Sequence, residues 1–349
     1  MVRKQTVTVK DVAKAAGVSQ AAVSMALRGS KEISAKRIKQ IQTVAQKLNY
    51  YPQAAGQLLR SKRKNQIGIV VAAPDAGKLG ASGFLAPLLS IAVMICQQDQ
   101  IAYQLELHHY RSSDPLKLPH QIAANMVDGA IVVGDVGSDV YDALDQRTGF
   151  PWVSIGEPAR YSVMMDIADA ALKLFKQVAQ FGHKRVAYCD GRHRYLEHRL
   201  VYETMERFSE QQGWTRYQKP NWIQSFEGHS PQAAGEVYHW AKAILKPKSR
   251  PTVVVCHGNN LARSVSYAAA DLGLVVGKDL SITSWGSEAD SCASWPVMAG
   301  VVYDHQAMVL NALQMLKQLM ADPKSIKPQV QLIKSPFLEG DSLGPCPRT

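Results

Sequence analysis

The sequence has no long hydrophobic run and few cysteines. Although 46% of its 349 residues are hydrophobic, no stretch of eighteen apolar residues occurs, so no transmembrane helix is predicted. The N-terminal residues MVRKQTVTVK lack the apolar segment of a secretory signal, which predicts a cytoplasmic protein. Five widely spaced cysteines favour reduced thiols over a disulfide framework or a metal site.

Sequence motifs of common enzyme classes are also missing. There is no phosphate-binding loop, no GxSxG, and no GxGxxG after the first predicted strand. The ten histidines lack the spacing of zinc ligands, and His108 with His109 is expected to end a strand. The sequence therefore predicts a protein that is not an enzyme and that uses no cofactor or metal.

Acidic residues are scarce in the first fifth of the chain. Residues 1–64 contain fourteen Lys and Arg but only two acids, whereas the remainder contains 26 basic and 27 acidic residues. A positive charge confined to one small module indicates a polyanionic partner. A membrane surface is the competing polyanion, but the helices predicted here lack the large apolar face that would lie in a bilayer.

The pattern of residues 9–27 predicts two short helices joined by a tight turn. Apolar residues recur at helical spacing between Val9 and Ala16, Gly17 interrupts the pattern, and Ser19 can cap a second helix. The inner face of that helix comprises Ala22, Val23, Ala26 and Leu27. An exposed helix of this size fits the major groove of DNA. An ordinary helical hairpin fits the pattern equally well, and the positive charge favours the DNA-binding interpretation.

A third helix and a basic segment follow. The helix is predicted from the Ser34 cap to about Leu48. Its inner face comprises Ile38, Ile41, Val44, Ala45 and Leu48. The segment QAAGQLLRSKRKN after Pro52 has helical content but is too short to form a stable helix alone. A flexible basic linker is the alternative.

From Gln66 onward, buried strands alternate with helices. Strands are predicted at 67–72, 102–107, 129–133, 152–155, 162–165, 185–189, 253–256, 280–283 and 330–333, and helices at 85–98, 116–126, 167–181, 196–212, 260–272 and 306–320. Such alternation predicts doubly wound α/β lobes. A small ligand is expected where the carboxyl ends of the two sheets face each other.

Several of these stretches resemble the LacI/GalR (lac repressor) family. The run TVKDVAKAAGVSQAAVSMALRG, the third helix ending in Asn49-Tyr50-Tyr51-Pro52, and Leu59-Arg60-Ser61 resemble the DNA-binding headpiece of that family. The run GHKRVAY at 182–188 is similar to its G-H-x-x-I-A-x signature. The resemblance implies a helix-turn-helix headpiece and a periplasmic-binding-protein-like core, hinged near 158–161, 287–291 and 321–324.

The resemblance also implies a domain organisation. The expected parts are a headpiece at 1–51, a hinge helix or linker at 52–65, an N-terminal lobe at 66–159 and 290–321, a C-terminal lobe at 160–289 and 322–340, and a tail at 341–349. The tail carries no leucine heptads, so no tetramerising coil is expected. A two-fold operator needs two headpieces, which predicts a homodimer formed through the lobes.

The resemblance assigns DNA contacts to residues of the headpiece and hinge. Base reading falls to Gln20, Ala21, Ser24, Met25 and Arg28, and phosphate contact to Thr8, Ser19, Ser34, Lys36 and Arg37. Ala55, Gln57 and Leu59 are expected in the minor groove, with Leu59 wedged between base pairs. Met25 stands where the family usually has an arginine, which should alter the half-site sequence or weaken its recognition.

The effector site departs from the family pattern. The expected ligand-binding residues are Asp166, Arg192, His193, Arg199, His257, Asn259 and Trp285. Asn259 stands where the family has an aspartate, and Trp285-Gly286-Ser287 replaces an aspartate pair. Loss of two carboxylates together with the remaining basic side chains favours an anionic or aromatic effector, such as a sugar acid or a sugar phosphate. The alternative is that these residues only decorate a surface loop, or that the cleft binds no ligand.

The sequence therefore predicts a transcriptional regulator, specifically a repressor. It would bind a palindromic operator in double-stranded DNA as a homodimer, and a small metabolite in the interlobe cleft would modulate that binding. Induction and co-repression stay equally open. The alternatives are a sugar-binding transport component, an effector-independent DNA-binding regulator, and a nucleotide-dependent α/β enzyme.

Overall fold

The computed structural model describes most of the chain as two compact units. The described residues are 7–27, 32–48, 50, 66–72, 83–108, 118–191, 195–214, 218–226 and 231–347. One unit is Met1–Lys64 and the other is Asn65–Thr349. No helix among the described residues is long and apolar enough to cross a membrane.

The first unit contains the three predicted helices: α1 (Val9–Ala16), α2 (Gln20–Leu27) and α3 (Ala35–Lys47). Thr8 begins α1, and both its backbone N–H and its hydroxyl donate to the Asp11 carboxylate, at 2.8 and 2.6 Å. Gly17 ends α1 in the left-handed conformation, with φ of +63°, which favours glycine. The Ser19 hydroxyl then accepts a hydrogen bond from the Ala22 N–H at 3.1 Å. Local capping therefore fixes the turn between the two helices.

Small apolar side chains form the core of this unit. Its buried members are Val12, Ala13, Ala16, Val23, Ala26, Ile41 and Ala45. Because four of these seven are alanines, the helices can approach closely. The predicted inner faces of α1 and α3 are confirmed, as are Val23 and Ala26 of α2.

The second unit contains two six-stranded sheets. The strands are β1 (Gln66–Ala72), β2 (Ala102–His108), β3 (Gly129–Val133), β4 (Trp152–Ile155), β5 (Tyr161–Met165), β6 (Val186–Asp190), β7 (Ile223–Ser225), β8 (Val253–Cys256), β9 (Ser281–Gly286), β10 (Ala299–Val302), β11 (Gln329–Ile333) and β12 (Phe337–Leu338). The first sheet has the order β11-β5-β4-β3-β1-β2 and the second β12-β10-β9-β8-β6-β7. Neighbouring strands are parallel except β10 and β12.

Helices cover both faces of each sheet. They are α4 (Leu85–Gln98), α5 (His120–Ala123), α6 (Ser138–Gln146), α7 (Ile167–Gln180), α8 (Leu196–Gln211), α9 (Pro231–Leu245), α10 (Asn259–Asp271), α11 (Glu288–Cys292) and α12 (His305–Ala321). In the first lobe, α4 and α12 pack on one face and α5 and α6 on the other. In the second lobe, α7 and α8 pack on one face and α9 and α10 on the other. This confirms the predicted fold class of two doubly wound lobes.

Sheet membership differs from the predicted lobe boundaries. Strands β5 and β11, which the sequence analysis placed in the C-terminal lobe, pair with each other in the first sheet. Strand β10 lies within the segment assigned to the N-terminal lobe but pairs with β9 in the second sheet. The chain therefore crosses between the lobes after β5, after β10 and after β11. The alternation of strands and helices along the sequence predicts where a strand lies. The sheet to which that strand belongs depends on its pairing with residues far away in the sequence.

Several elements were missed, and one was predicted too long. Within the described residues, α6, β7, α9, α11, β10 and β12 have no counterpart among the predicted elements. Of the helix predicted at 116–126, the structure describes only α5. Pro119 stands immediately before α5, and residues 111–117 lie outside the described residues. Strands β7, β10 and β12 have four residues or fewer, too short for a clear period.

The C-terminal segment predicted as a tail is part of the second lobe. The Ser342 hydroxyl accepts from the Ala299 N–H at 2.8 Å and donates to the Ile282 carbonyl at 2.6 Å. The Gly344 carbonyl lies 3.0 Å from Nε2 of His183, and Ser342 is fully buried. Buried polar groups at the amino ends of β9 and β10, and His183 before β6, therefore depend on this segment for their hydrogen bonds.

Candidate functional site

The start of α2 presents the predicted base-reading residues. Gln20 and Ala21 are exposed, and Ser24 and Met25 are half-buried beside the core. Arg28 lies outside the described residues. Because Val23 and Ala26 fix the opposite face of the helix in the core, the first turn of α2 is held in a defined orientation with its side chains accessible.

The predicted phosphate contacts lie around helix N-termini. Thr8, Ser19 and Ser34 stand at the starts of α1, α2 and α3, and Lys36 and Arg37 are exposed in the first turn of α3. Helix N-termini and cations both favour phosphate oxygens. The minor-groove residues Ala55, Gln57 and Leu59 lie outside the described residues.

In the second unit, an aromatic cluster joins the two lobes. Phe84, which stands immediately before α4 of the first lobe, packs edge-on against Tyr303 after β10, with ring centroids 5.0 Å apart. Its ring centroid lies 5.8 Å from that of His305. A Cβ at residue 156, which is a glycine with φ of +93°, would lie 3.1 Å from the Phe84 ring. Glycine at this position therefore gives Phe84 room at the carboxyl end of the first sheet.

Glu197 connects three elements of this region. It lies in the first turn of α8, and its Oε1 accepts a hydrogen bond from the Tyr303 hydroxyl at 2.6 Å. The same oxygen lies 3.2 Å from Nε2 of His257, which follows β8. Burial, and then the Glu197 carboxylate, raise the pKa of Tyr303 well above its ordinary value. The phenol therefore stays protonated and donates to Glu197.

Two imidazoles and an indole pack beside this carboxylate. The ring centroid of His257 lies 4.1 Å from that of His198 and 5.0 Å from that of Trp285. The Gly191 N–H donates to Nδ1 of His198 at 3.2 Å. His257 and Trp285 are buried, and Nδ1 of His257 has no hydrogen-bond partner within the described structure.

The other predicted effector residues occupy different environments. Asp166 begins α7 and accepts from the Asp169 N–H at 3.2 Å. Asn259 is buried, and its Nδ2 donates to the Ser287 carbonyl at 3.1 Å. Arg199 is exposed on α8. Arg192 and His193 lie outside the described residues. Of the predicted set, the structure brings His257 and Trp285 together, while the amide of Asn259 is engaged in joining α10 to the turn after β9.

Four carboxylates of this region were not predicted. Three lie at or after strand ends, namely Asp135 after β3, Glu157 after β4 and Asp190 at the end of β6, and the fourth is Glu197 in the first turn of α8. Burial, followed by the charges of Asp135 and Glu197, raises the pKa of Glu157 to about 7, while Arg199 acts in the opposite direction. Since these groups belong to both lobes, Glu157 lies where the lobes face each other.

These carboxylates bear on one of the two grounds for an anionic effector, which stays a prediction. That ground was the replacement of two family carboxylates at Asn259 and Trp285-Gly286-Ser287, and the other was the set of basic side chains near the cleft. The structure supplies carboxylates from other positions, in turns that match no motif. The described part of the chain contains no group of three or more potential metal ligands.

His305 is a neutral histidine in the same cluster. Burial lowers its pKa to about 4, although the Asp304 carboxylate opposes this shift. The ring donates to the backbone carbonyl of Phe84, and Nε2 has no partner within the described structure. In this tautomer Nε2 is a hydrogen-bond acceptor.

The raised pKa of Glu157 predicts a pH-dependent stability. In the unfolded chain this carboxyl ionises near its ordinary value of 4.5, but in the folded protein it ionises near 7. The folded state is therefore penalised increasingly as the pH rises from about 4.5 to 7. Glu157→Gln should raise the melting temperature at pH 8 and have little effect at pH 4.5. Because the carboxyl is partly in contact with solvent, we expect about 1 kcal/mol, or about 2–4 °C.

Thermal denaturation of both proteins from pH 4.5 to 8.5 measures this effect. Glu210→Gln, an exposed position on α8, is the matched control and should follow the wild type at each pH. A constant difference between Glu157→Gln and the wild type across this range would contradict the assigned pKa.

Comparison with known proteins gives consistent matches to both units. Residues 8–53 match the family model for bacterial regulatory proteins of the lacI family, and residues 175–343 match a periplasmic binding protein-like domain. Catabolite control protein A of Staphylococcus aureus (strain COL) is 25% identical over 335 residues, covering 94% of this chain and 96% of that protein. The transcriptional repressor PurR of Haemophilus influenzae (strain PittEE) is 26% identical over 285 residues, covering 80% of each chain.

Solved structures share the fold. The lac repressor dimer bound to operator and the anti-inducer ONPF superposes with a TM-score of 0.80 at 19% identity, covering 97% of this chain and 99% of that chain. The regulator CelR in complex with cellobiose superposes with a TM-score of 0.67 at 16% identity, covering 96% and 99%. These structures show the shared fold, and the two domain matches and the curated relatives confirm the predicted family. The chain belongs to the lacI family of bacterial regulatory proteins, which are DNA-binding transcriptional regulators.

Proposed function

We propose that this protein is a repressor that binds a palindromic operator as a homodimer and responds to a small metabolite in its interlobe cleft. The observation that carries the DNA-binding part is the exposed first turn of α2 on a compact, strongly basic three-helix unit. A helix presented in this way can enter the major groove while surrounding cations contact phosphates. The relatives' regulatory roles are consistent with this function.

Specific binding to duplexes selected from a random pool tests this function. We expect the full chain to enrich a two-fold symmetric site, and its affinity to fall with salt by about 0.9 log units per log unit for each phosphate neutralised. An enriched site without two-fold symmetry would contradict the dimeric operator. Failure to enrich any sequence would contradict the function.

The residue at position 25 should influence operator preference. Met25 is half-buried on α2 and cannot make the paired hydrogen bonds by which an arginine recognises guanine. We expect Met25→Arg to shift the selected half-site toward guanine, with a change of about 1–3 kcal/mol between the two sites. Met25→Leu, which adds no hydrogen-bond donor, is the control. Selection of the same operator by wild type and Met25→Arg would contradict this role.

Exposed apolar side chains on the first lobe support the proposed homodimer. Met94 on α4 and Leu105 on β2 are both more than 40% exposed, and β2 is an edge strand of its sheet that contacts α4. Such surfaces are common at interfaces between subunits. Sedimentation should therefore give a dimer, and a double substitution of both residues by aspartate should shift it toward monomer. A monomeric wild type would contradict this part of the proposal.

The proposed effector site is the region where the carboxyl ends of the two sheets meet. Phe84 of the first lobe packs against Tyr303. Glu157 of the same lobe interacts electrostatically with Glu197 and Arg199. A ligand bound there would contact both lobes and could change their relative arrangement, which would couple the cleft to DNA binding by about 1–3 kcal/mol. The role of residues 52–65 as a hinge stays a prediction.

A further inference from the structure

Two buried imidazoles near Glu197 each have a ring nitrogen without a hydrogen-bond partner in the described structure. Glu197 is partly exposed, at 24% of its side chain, so a ligand can reach its carboxylate. His305 is neutral, with an unpartnered acceptor at Nε2. Nε2 of His257 lies 3.2 Å from the Glu197 carboxylate, and Nδ1 of the same ring also has no hydrogen-bond partner within the described structure. These buried atoms need hydrogen-bond partners that the described residues do not supply.

Clustered carboxylates are the second feature of this region. Glu157 from the first lobe interacts with Glu197 from the second and with Asp135, and Arg199 opposes both. Burial is the main cause of the raised pKa of Glu157, and repulsion from Asp135 and Glu197 adds to it, which a proton on Glu157 relieves. A bound cation would relieve the repulsion in the same way, whereas a bound anion would add to it.

Aromatic rings supply the third feature. Phe84, Tyr303, Trp285 and the two imidazoles of His198 and His257 lie in one contiguous cluster beside Glu197. Aromatic faces attract cations and also pack against the apolar surface of a small molecule. Aromatic rings next to a carboxylate therefore favour a small organic cation over an inorganic ion.

We propose that the interlobe cleft binds a small metabolite with an ammonium group, which Glu197 and Glu157 recognise from opposite lobes. Hydroxyls on the ligand, which can both donate and accept, would satisfy the unpartnered nitrogens of His257 and His305. The inference rests on the proposed function in assigning the cleft as the effector site, and it replaces the anionic effector that the sequence favoured. A ligand held between carboxylates of both lobes stabilises the arrangement in which the lobes approach.

Matched compounds that differ in charge test this inference on the full chain. In each of two sets, an amine, a neutral sugar and an acid share one sugar ring: glucosamine, glucose and glucuronate, and galactosamine, galactose and galacturonate. A third is linear: aminobutane, butanol and butyrate. We expect at least one amine to raise the melting temperature of the second unit at neutral pH, and its neutral and acidic counterparts to have at least tenfold lower affinity by calorimetry. Stabilisation by an acid or a neutral sugar in preference to the amine, or by no amine, would overturn the inference.

Isosteric variants assign the binding to the two carboxylates. Glu197→Gln keeps an acceptor for Tyr303 and His257 but removes the charge, and Glu157→Gln removes the charge from the opposite lobe. Each should weaken amine binding at least tenfold, whereas Glu210→Gln on the exposed face of α8 should bind as the wild type does. Unchanged affinity in both Glu197→Gln and Glu157→Gln would overturn the assignment, and Glu157→Gln keeps the test valid if Glu197→Gln fails to fold.

Binding to the selected duplex, measured in parallel without any amine, separates the two proposals. Specific DNA binding with no amine recognition overturns this inference and leaves the regulator intact. Amine recognition without specific DNA binding overturns the proposed function instead.

Discussion

Val23→Asp is expected to abolish specific DNA binding while leaving the second unit folded. Val23 is fully buried between the three helices of the first unit, so the substitution places an unpaired carboxylate in a small core. We expect a cost on the order of 3–5 kcal/mol. A module of this length has a total stability of about 3–7 kcal/mol. The loss is therefore comparable to the whole stability of the headpiece.

Calorimetry and fluorescence anisotropy check this result together. The variant should lose at least about a hundredfold in affinity for the selected duplex, which corresponds to about 2.7 kcal/mol. The unfolding transition of the second unit should stay unchanged, since the two units are separate compact bodies. Val275→Asp, at an exposed valine of the second unit, is the matched control and should bind DNA normally. Full affinity in Val23→Asp would show that the headpiece core is not required.

Removal of the C-terminal segment is expected to have the largest effect on the second unit. A chain that ends at Gly340 lacks Ser342, which hydrogen-bonds Ala299 and Ile282, and Gly344, which hydrogen-bonds His183. Each buried group left without its partner costs about 1–3 kcal/mol. We expect a total of about 3–6 kcal/mol and a fall of about 10–20 °C in melting temperature.

Thermal denaturation of truncated chains tests this dependence. A chain that ends at Pro347 retains these hydrogen bonds and also the Cys346 N–H donated to the Phe181 carbonyl. It should melt as the full chain does. If the chain ending at Gly340 melted at the same temperature as the chain ending at Pro347, the segment would be a tail, as its sequence suggested.

The headpiece could be predicted from sequence because its determinants are local. The spacing of apolar residues, the left-handed Gly17 and the Ser19 cap each act within one or two turns of helix. The lobes were predicted less completely. The strands at 161–165 and 329–333 were located, but no local signal shows that they pair with each other across more than 160 residues. Lobe boundaries depend on such pairings.

The sequence predicted some of the side chains that line this region of the lobes, but not its carboxylates. His257 and Trp285 were expected there and do lie together. Glu197 was missed although it lies two positions from Arg199, because its role depends on Tyr303, which is more than 100 residues away. Tyr303 follows β10, a four-residue strand with no clear period. Carboxylates brought together from separate turns leave no motif in the sequence.

The requirement of residues 1–64 for specific DNA binding is the central claim. Its most direct measurement compares the full chain with residues 65–349 on the same selected duplex at one salt concentration. We expect the shorter chain to keep its unfolding transition and to lose the whole difference between specific and non-specific affinity, about a thousandfold or more. Equal affinity of the two chains for that duplex would contradict the claim.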